Sequence, residues 1–358
     1  MINILAITIA DVFGKVWPIL VAVLAFMIII MIHEFGHFIF AKILGVKVNE
    51  YAIGFGPELL KWQGKETKYA LRLVPFGGYC AMEGEDSESE NPRGFCNKKP
   101  WRRLLIILAG AFFNILLGFI IILISLAPSK LLGTTQVADF VNNEKFSSVS
   151  NNYGLMKNDT IISVNGRGIY STIDLGYAFS GVEDGTVDML VIRNGEKVQL
   201  NDVRFDTKEI DGVSFIVVDF MVYGKENNFV NLITQTARET FSYSRVVWFS
   251  LVDLVTGKYG ISQVSGPVGV TAAISTAVSS GGIADLLPIM ALITINLGIF
   301  NLLPIPSLDG SRALFIFIEM IVRKPVPRKY EAIVHGVGIV VLLAFLALIT
   351  VKDIVSFF

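Results

Sequence analysis

The chain has 358 residues, 53% hydrophobic and only 17% charged, where soluble domains carry about a quarter charged residues. That composition excludes a disordered, collagen-like or disulfide-rich secreted chain. A formal net charge of -1, from 30 Lys+Arg against 31 Asp+Glu, gives no electrostatic reason to bind nucleic acid, so the leading class is a polytopic α-helical membrane protein.

A helix needs ~20 apolar residues to cross the hydrocarbon core. The first such run starts at Val16, is unbroken to Ile32, and then meets His33, Glu34 and His37 before it finishes at Ala41. With no basic n-region and no small-residue cleavage site, residues 1–41 read as an uncleaved membrane helix rather than a signal peptide. Residues 42–103 form a loop with eleven basic residues, from Lys42 to Arg103. Within it Tyr51, Ile53 and Phe55 alternate, Gln63-Gly64 marks a turn, and Tyr69 to Val74 resumes a strand-like run before Pro75-Phe76-Gly77-Gly78-Tyr79. This predicts a β-hairpin with enough apolar surface to dip into the bilayer, or else a surface hairpin covering helix ends. The acidic run Glu83 to Glu90 reads as a solvated linker, and Cys80 and Cys96 form no zinc-ribbon pair.

A second span is expected over 104–127. The long insert that follows contains no run resembling a span. Residues 128–224 read as a small β-rich domain, with strands at Thr160 to Asn165, Val187 to Arg193 and Val213 to Phe220 and turns at Asn165-Gly166 and Asn194-Gly195. Across 225–285 the period changes: Phe229, Ile233, Ala237, Phe241, Trp248, Leu251 and Val255 recur at helical spacing. They predict an amphipathic helix, lying on a membrane or in the core of the insert, and a linker back to the membrane. The third span lies within 286–331, running from Leu286 to Leu308, with a cytoplasmic loop behind it. The fourth lies in 332–358. Basic residues concentrate in the loops 42–103 and 310–331, which places those loops in the cytoplasm and both termini and the insert on the far side.

His33-Glu34-Phe35-Gly36-His37 is an H-E-x-x-H motif, whose spacing of four puts both imidazoles on one helical face, where they can share a metal ion. Glu34 lies about 100° further round the helix, within reach of a water at that metal. The chain has three histidines in all, and two of them flank a glutamate inside a membrane-spanning run. Ionisable groups there cost roughly 2.5–3.5 kcal/mol on insertion scales, which marks the cluster as functional. A catalytic zinc uses three protein ligands. His335 and Asp309 are the candidates for the third, and Asp309 is preferred because it ends a span running inward, at the depth of His33 and His37. Pro304 and Pro306 break that helix just before Asp309, and Asn301 adds an amide to the same stretch.

With these pieces placed, the chain resembles the site-2 protease family of intramembrane zinc metalloproteases, in its bacterial regulator of sigma-E protease form. The resemblance is carried by His33 to His37, Gly54-Phe55-Gly56, Pro75 to Tyr79, Ala109-Gly110 with Asn114, Ser265-Gly266-Pro267, Asn296-Leu297-Gly298 and Asn301 to Gly310. It implies that His33, His37 and Asp309 bind Zn2+, that Glu34 is the catalytic base, and that Asn301, Pro304 and Pro306 lie along the substrate. It also implies that the insert is a single PDZ domain, on Gly154-Leu155, Asp159, Ile161 and Val164-Asn165-Gly166. A helical substrate has to unwind before attack, and pairing with the Tyr51 to Val74 hairpin is expected to replace the hydrogen bonds it loses. The implied substrates are single-span membrane proteins such as anti-sigma factors and signal-peptide remnants, cut in the bacterial cytoplasmic membrane near its inner side. Ala111 and Ser311 depart from the family, which usually has Pro and Gly there. A non-catalytic scaffold binding partners through the insert, or a metal transporter, are the readings from other classes. Against them stand an intact Glu34 and the lack of inverted repeats.

Overall fold

The computed structural model describes residues 9–142, 147–210, 213–258, 260 and 263–356. Its chain divides into two compact units, Met1–Ile121 with Asp253–Phe358, and Ile122–Val252. In order, the first unit opens with α1 (Ile9–Ile43), the strands β1 (Val48–Gln63) and β2 (Lys68–Met82), and most of α2 (Pro100–Leu126). The second holds β3 (Leu131–Phe140), β4 (Thr160–Val164), β5 (Arg167–Gly168), α3 (Thr172–Ala178), β6 (Thr186–Arg193), β7 (Glu196–Arg204), β8 (Thr207–Ile210), β9 (Val213–Ile216), β10 (Phe220–Glu226) and most of α4 (Phe229–Val255). The first unit then resumes with α5 (Pro267–Ser280), α6 (Ile283–Leu302), α7 (Asp309–Val322) and α8 (Arg328–Ser356).

Among the described residues four helices are long and apolar enough to cross a membrane: Val16–Ile43, Pro100–Leu126, Ile283–Leu302 and Lys329–Val355. These are the four apolar runs of the sequence. The helices approach closely where side chains are absent. A Cβ on Gly36 of α1 would stand 2.5 Å from the Ala109 carbonyl oxygen of α2, and one on Gly118 of α2 would stand 2.4 Å from Ile295 of α6. Such small-residue crossings let apolar helices gain packing where no hydrophobic effect separates them from lipid. Ala111, where the family usually has Pro, is fully buried, and its carbonyl faces Gly298 of α6.

β1 and β2 pair antiparallel as the expected hairpin, with Gly54, Gly56 and Gly77 at positive φ where the register shifts. Its apolar side chains include Phe55, Leu60, Trp62 and Leu73, all more than half exposed or close to it. Tyr51 anchors the hairpin to α1, its hydroxyl donating to the Met31 carbonyl at 2.9 Å.

Three segments of this unit depart from expectation. The acidic run after β2 is a solvated linker only in part: Glu83 accepts from Asn49 and Ser89, and Glu85 and Asp86 both pair with Arg312 of α7, while Asp86, Ser87, Glu88 and Glu90 are exposed. Burial raises the Glu85 carboxyl above its usual range while the Arg312 guanidinium pulls it down. The segment expected as a linker contains α5, which begins with Pro267 at its first turn and packs on α1 and α6. Much of the segment expected as a cytoplasmic loop is α7, which begins directly at Asp309. In each case a run without the apolar length of a span is ordered by partners distant in sequence.

In the second unit, the strands form a sheet of order β10-β3-β4-β6-β7, with β5 on β4 and β8 paired to β9. Alternation buries Val187, Met189 and Val191 of β6, and a register shift between Ile161 and Ser163 lets both Ile161 and Val164 of β4 join them, with Val137 of β3, in one core. Asn165 and Gly166, and Asn194 and Gly195, all take positive φ, the turn conformation that Asn-Gly pairs favour. The run expected as one strand over Val213 to Phe220 is instead β9 and the start of β10. α4 settles on this unit through buried Tyr243 and Val247, with Arg245 paired to Asp174 of α3 at 2.7 Å, and leaves Phe241, Trp248 and Val252 exposed. It thus serves as a core helix of the insert on one face and keeps an apolar stripe on the other.

Candidate metal centre

His33 and His37 lie one turn apart on α1, both more than nine-tenths buried. Their Nε2 atoms are 3.2 Å apart. Asp309, the first residue of α7, brings its Oδ2 to 3.1 Å from His33 Nε2 and 3.2 Å from His37 Nε2. Three potential ligand atoms therefore form a nearly equilateral triangle, and among the described residues these side chains are the group able to hold a metal ion. Tetrahedral zinc with bonds of 2.0–2.1 Å spaces its ligand atoms about 3.3–3.4 Å apart, so the triangle fits such an ion with little adjustment.

Hydrogen bonding agrees with that fit. His37 Nδ1–H donates to the Ile106 carbonyl of α2 at 2.9 Å, and since a carbonyl only accepts, the His37 Nε2 lone pair is left facing the centre. His33 Nδ1 lies 3.2 Å from the Asn114 amide of α2. Asn114 is fully buried and its Oδ1 has no partner among the described residues. Turning that amide end for end supplies an acceptor for His33 Nδ1–H, and both imidazoles then present bare nitrogens to one point. Asp309 Oδ2 is also buried without a hydrogen-bond partner. Buried acceptors are seldom left unsatisfied unless an ion or ligand is their partner.

Space for the cluster comes from α2. A Cβ on Gly110 would fall 2.4 Å from His37 Nε2 and 2.7 Å from His33 Cε1. Glu34, next round α1 from His33, also borders β2, where a Cβ on Gly78 would meet its Cγ at 3.5 Å. Asp309 is delivered by the break between α6 and α7: α6 stops at Leu302, and a Cβ on Gly310 would collide with the Leu303 carbonyl at 2.2 Å, so the chain turns tightly here. Ser311, where the family usually has a second Gly, is buried and its hydroxyl donates to the Leu308 carbonyl at 2.8 Å, a role glycine could not fill.

The structure thus brings His33, His37 and Asp309 together beside Glu34. Asn301 lies in the last turn of α6, Pro304 is exposed and Pro306 half-buried on the break; none of the three is in the ligand triangle. His335 stands outside it too, and its Nδ1 accepts from the Ser307 N–H. Gly110 and Asn114 were legible only as parts of a motif. Their tasks, making room for two rings and accepting from one of them, require knowing which helix lies against α1.

The model of peptidase family M50 matches residues 21–345 of the chain. Among curated proteins it is similar to a candidate zinc metalloprotease of Clostridium perfringens, 36% identical over 94% of this chain and 98% of that one. It is also similar to one of Clostridium acetobutylicum, 33% identical over 94% and 97%. The zinc metalloprotease RasP of Bacillus licheniformis is 27% identical over 94% of this chain and 98% of its own.

Proposed function

The chain belongs to peptidase family M50, and on that premise we propose that it hydrolyses peptide bonds within or near the membrane-spanning segments of single-span proteins. It is an integral membrane zinc metalloprotease. His33, His37 and Asp309 are its metal ligands and Glu34 its catalytic base. The observation that carries this reading is the triangle of Nε2, Nε2 and Oδ2 atoms at 3.1–3.2 Å spacing, with the intervening glutamate on the same helix.

A zinc ion held by His33, His37 and Asp309 would polarise the scissile carbonyl and make water there more acidic. Glu34 takes the proton of the attacking water and returns it to the leaving amine. The Ile106 carbonyl and the Asn114 amide hold the imidazole rings in the tautomer this requires. A substrate helix has its carbonyls tied up in its own hydrogen bonds and must unwind before attack. The broken segment with Asn301, Pro304 and Pro306, and the rim of the β1–β2 sheet, in which Glu50 to Ile53 already pair on both sides, offer backbone and amide groups to an extended strand.

The implied substrates are anti-sigma factors and signal-peptide remnants in a bacterial cytoplasmic membrane. The active site faces the cytoplasmic side, the termini and the insert lie outside, and the insert acts as a PDZ domain. The test is cleavage of a panel of single-span segments with short outer tails, co-expressed with wild type or Glu34→Gln. Cleavage with wild type alone, while Glu34→Gln still binds zinc, is the expected result. Equal processing by both would move the activity to other proteases.

A further inference from the structure

We infer that His335, on α8, is a positioning residue for the metal centre: it clasps the turn that presents Asp309. This rests on the reading of Asp309 as a ligand. The turn between α6 and α7 has little to hold it. Pro304 and Pro306 carry no N–H. Its other backbone hydrogen bonds stay within the segment, from Ile305 N–H to Leu303, from Leu308 N–H to Ile305 and from Ser311 N–H to Leu308. The Ser307 N–H is the donor that reaches out, to His335 Nδ1 at 3.2 Å. Ser307 has φ of 73°, the left-handed region that a residue with a Cβ adopts only when its surroundings impose it.

A second contact from the same helix presses on the same turn. Gly338 follows His335 by three residues and so shares its face of α8. A Cβ there would fall 2.3 Å from Pro306 Cβ and 2.7 Å from the Pro306 carbonyl carbon. α8 therefore touches the turn with its backbone at Pro306 and with an imidazole at Ser307, two residues before Asp309. The ring itself is held: Phe315 of α7 packs edge-on at a centroid distance of 6.1 Å. Because Nδ1 accepts, the proton sits on Nε2, which makes no hydrogen bond among the described residues and lies 3.9 Å from the Glu331 carboxylate on the previous turn of α8. A metal site loses affinity steeply when a ligand is free to wander, and the clasp removes that freedom for the one ligand that stands at the first residue of its helix rather than within it.

The full chain, purified in detergent, is compared as wild type, His335→Leu, His335→Asn, Gly338→Ala and Asp309→Ala. Zinc affinity is read by competition with a chromogenic chelator, and kcat and KM by cleavage of a single-span segment. His335→Leu and Gly338→Ala are expected to weaken zinc at least tenfold and to lower kcat while KM stays within twofold. His335→Asn, whose Oδ1 replaces the Nδ1 acceptor, is expected to stay within threefold of wild type. Wild-type zinc affinity in His335→Leu, or an Asn variant as weak as the Leu one, with zinc lost in Asp309→Ala, would overturn the clasp alone. Wild-type affinity in Asp309→Ala would overturn the ligand reading beneath it.

Discussion

The buried polar side chains of the two units are treated in opposite ways. In the insert, Asp219 accepts from the N–H groups of Val149 and Ser150 and from the Ser150 hydroxyl, all within 2.8 Å. Asp159 is paired to both sides of the Arg193 guanidinium, and Asp174 takes the Ser242 hydroxyl and Arg245. Around α1 and α2, Asp309 Oδ2 is buried with no hydrogen-bond partner among the described residues, and the two imidazole Nε2 atoms lie within 3.2 Å of it and of each other. Full satisfaction marks a group that holds the fold together. Convergent acceptors left without donors mark a place kept for a cation. The contrast also works inside the first unit: Asp353 of α8, which is buried, accepts from the Gly266 and Gly269 N–H groups at the start of α5 and is thereby structural.

Three substitutions, and a fourth as a control, put that contrast at risk. The largest effect is expected at Gly110, where Gly110→Ala drives a methyl into the space of His37 Nε2 and should abolish zinc binding, read by metal content after purification. Retained zinc would mean that the rings are not confined as described. The same exchange at Gly195, whose Cβ would meet nothing within 4 Å, should cost only the backbone strain of positive φ, about 1–2 kcal/mol.

Next is Asp219→Ala in the insert. It strands two backbone donors and a hydroxyl, and should lower stability by about 3 kcal/mol, measured by denaturant unfolding, with zinc affinity unchanged. A loss of zinc here would break the division between structural and metal-directed groups. Smallest is Asn114→Leu, which removes the partner of His33 Nδ1 and should weaken zinc by about 10–100-fold with little change in unfolding. An unaltered zinc affinity would show that the Asn114 amide has no part in orienting the ring.

Much of the architecture and the ligand set was readable because it is written locally. Apolar length marks a span whatever surrounds it, Asn-Gly marks a turn through the φ values those two residues tolerate, and a spacing of four puts His33 and His37 on one face of any helix. Asp309 was reachable because two prolines stop a helix wherever they occur. α7 and the docked acidic run were missed for the complementary reason. Their pairing of Glu85 and Asp86 with Arg312 joins residues far apart in the chain, and no local pattern carries that information.

The amino-acid sequence by itself determined four apolar helices, a hairpin, a β-rich insert and the residue types of a metal site, since each follows from periodicity, turn chemistry or spacing within one segment. Only the tertiary structure decided that Gly110 leaves the room for the ligand triangle and that Asn114 faces His33. Those outcomes depend on which helix faces cross and how closely, and distances between helices are set by the packing of side chains drawn from several segments at once.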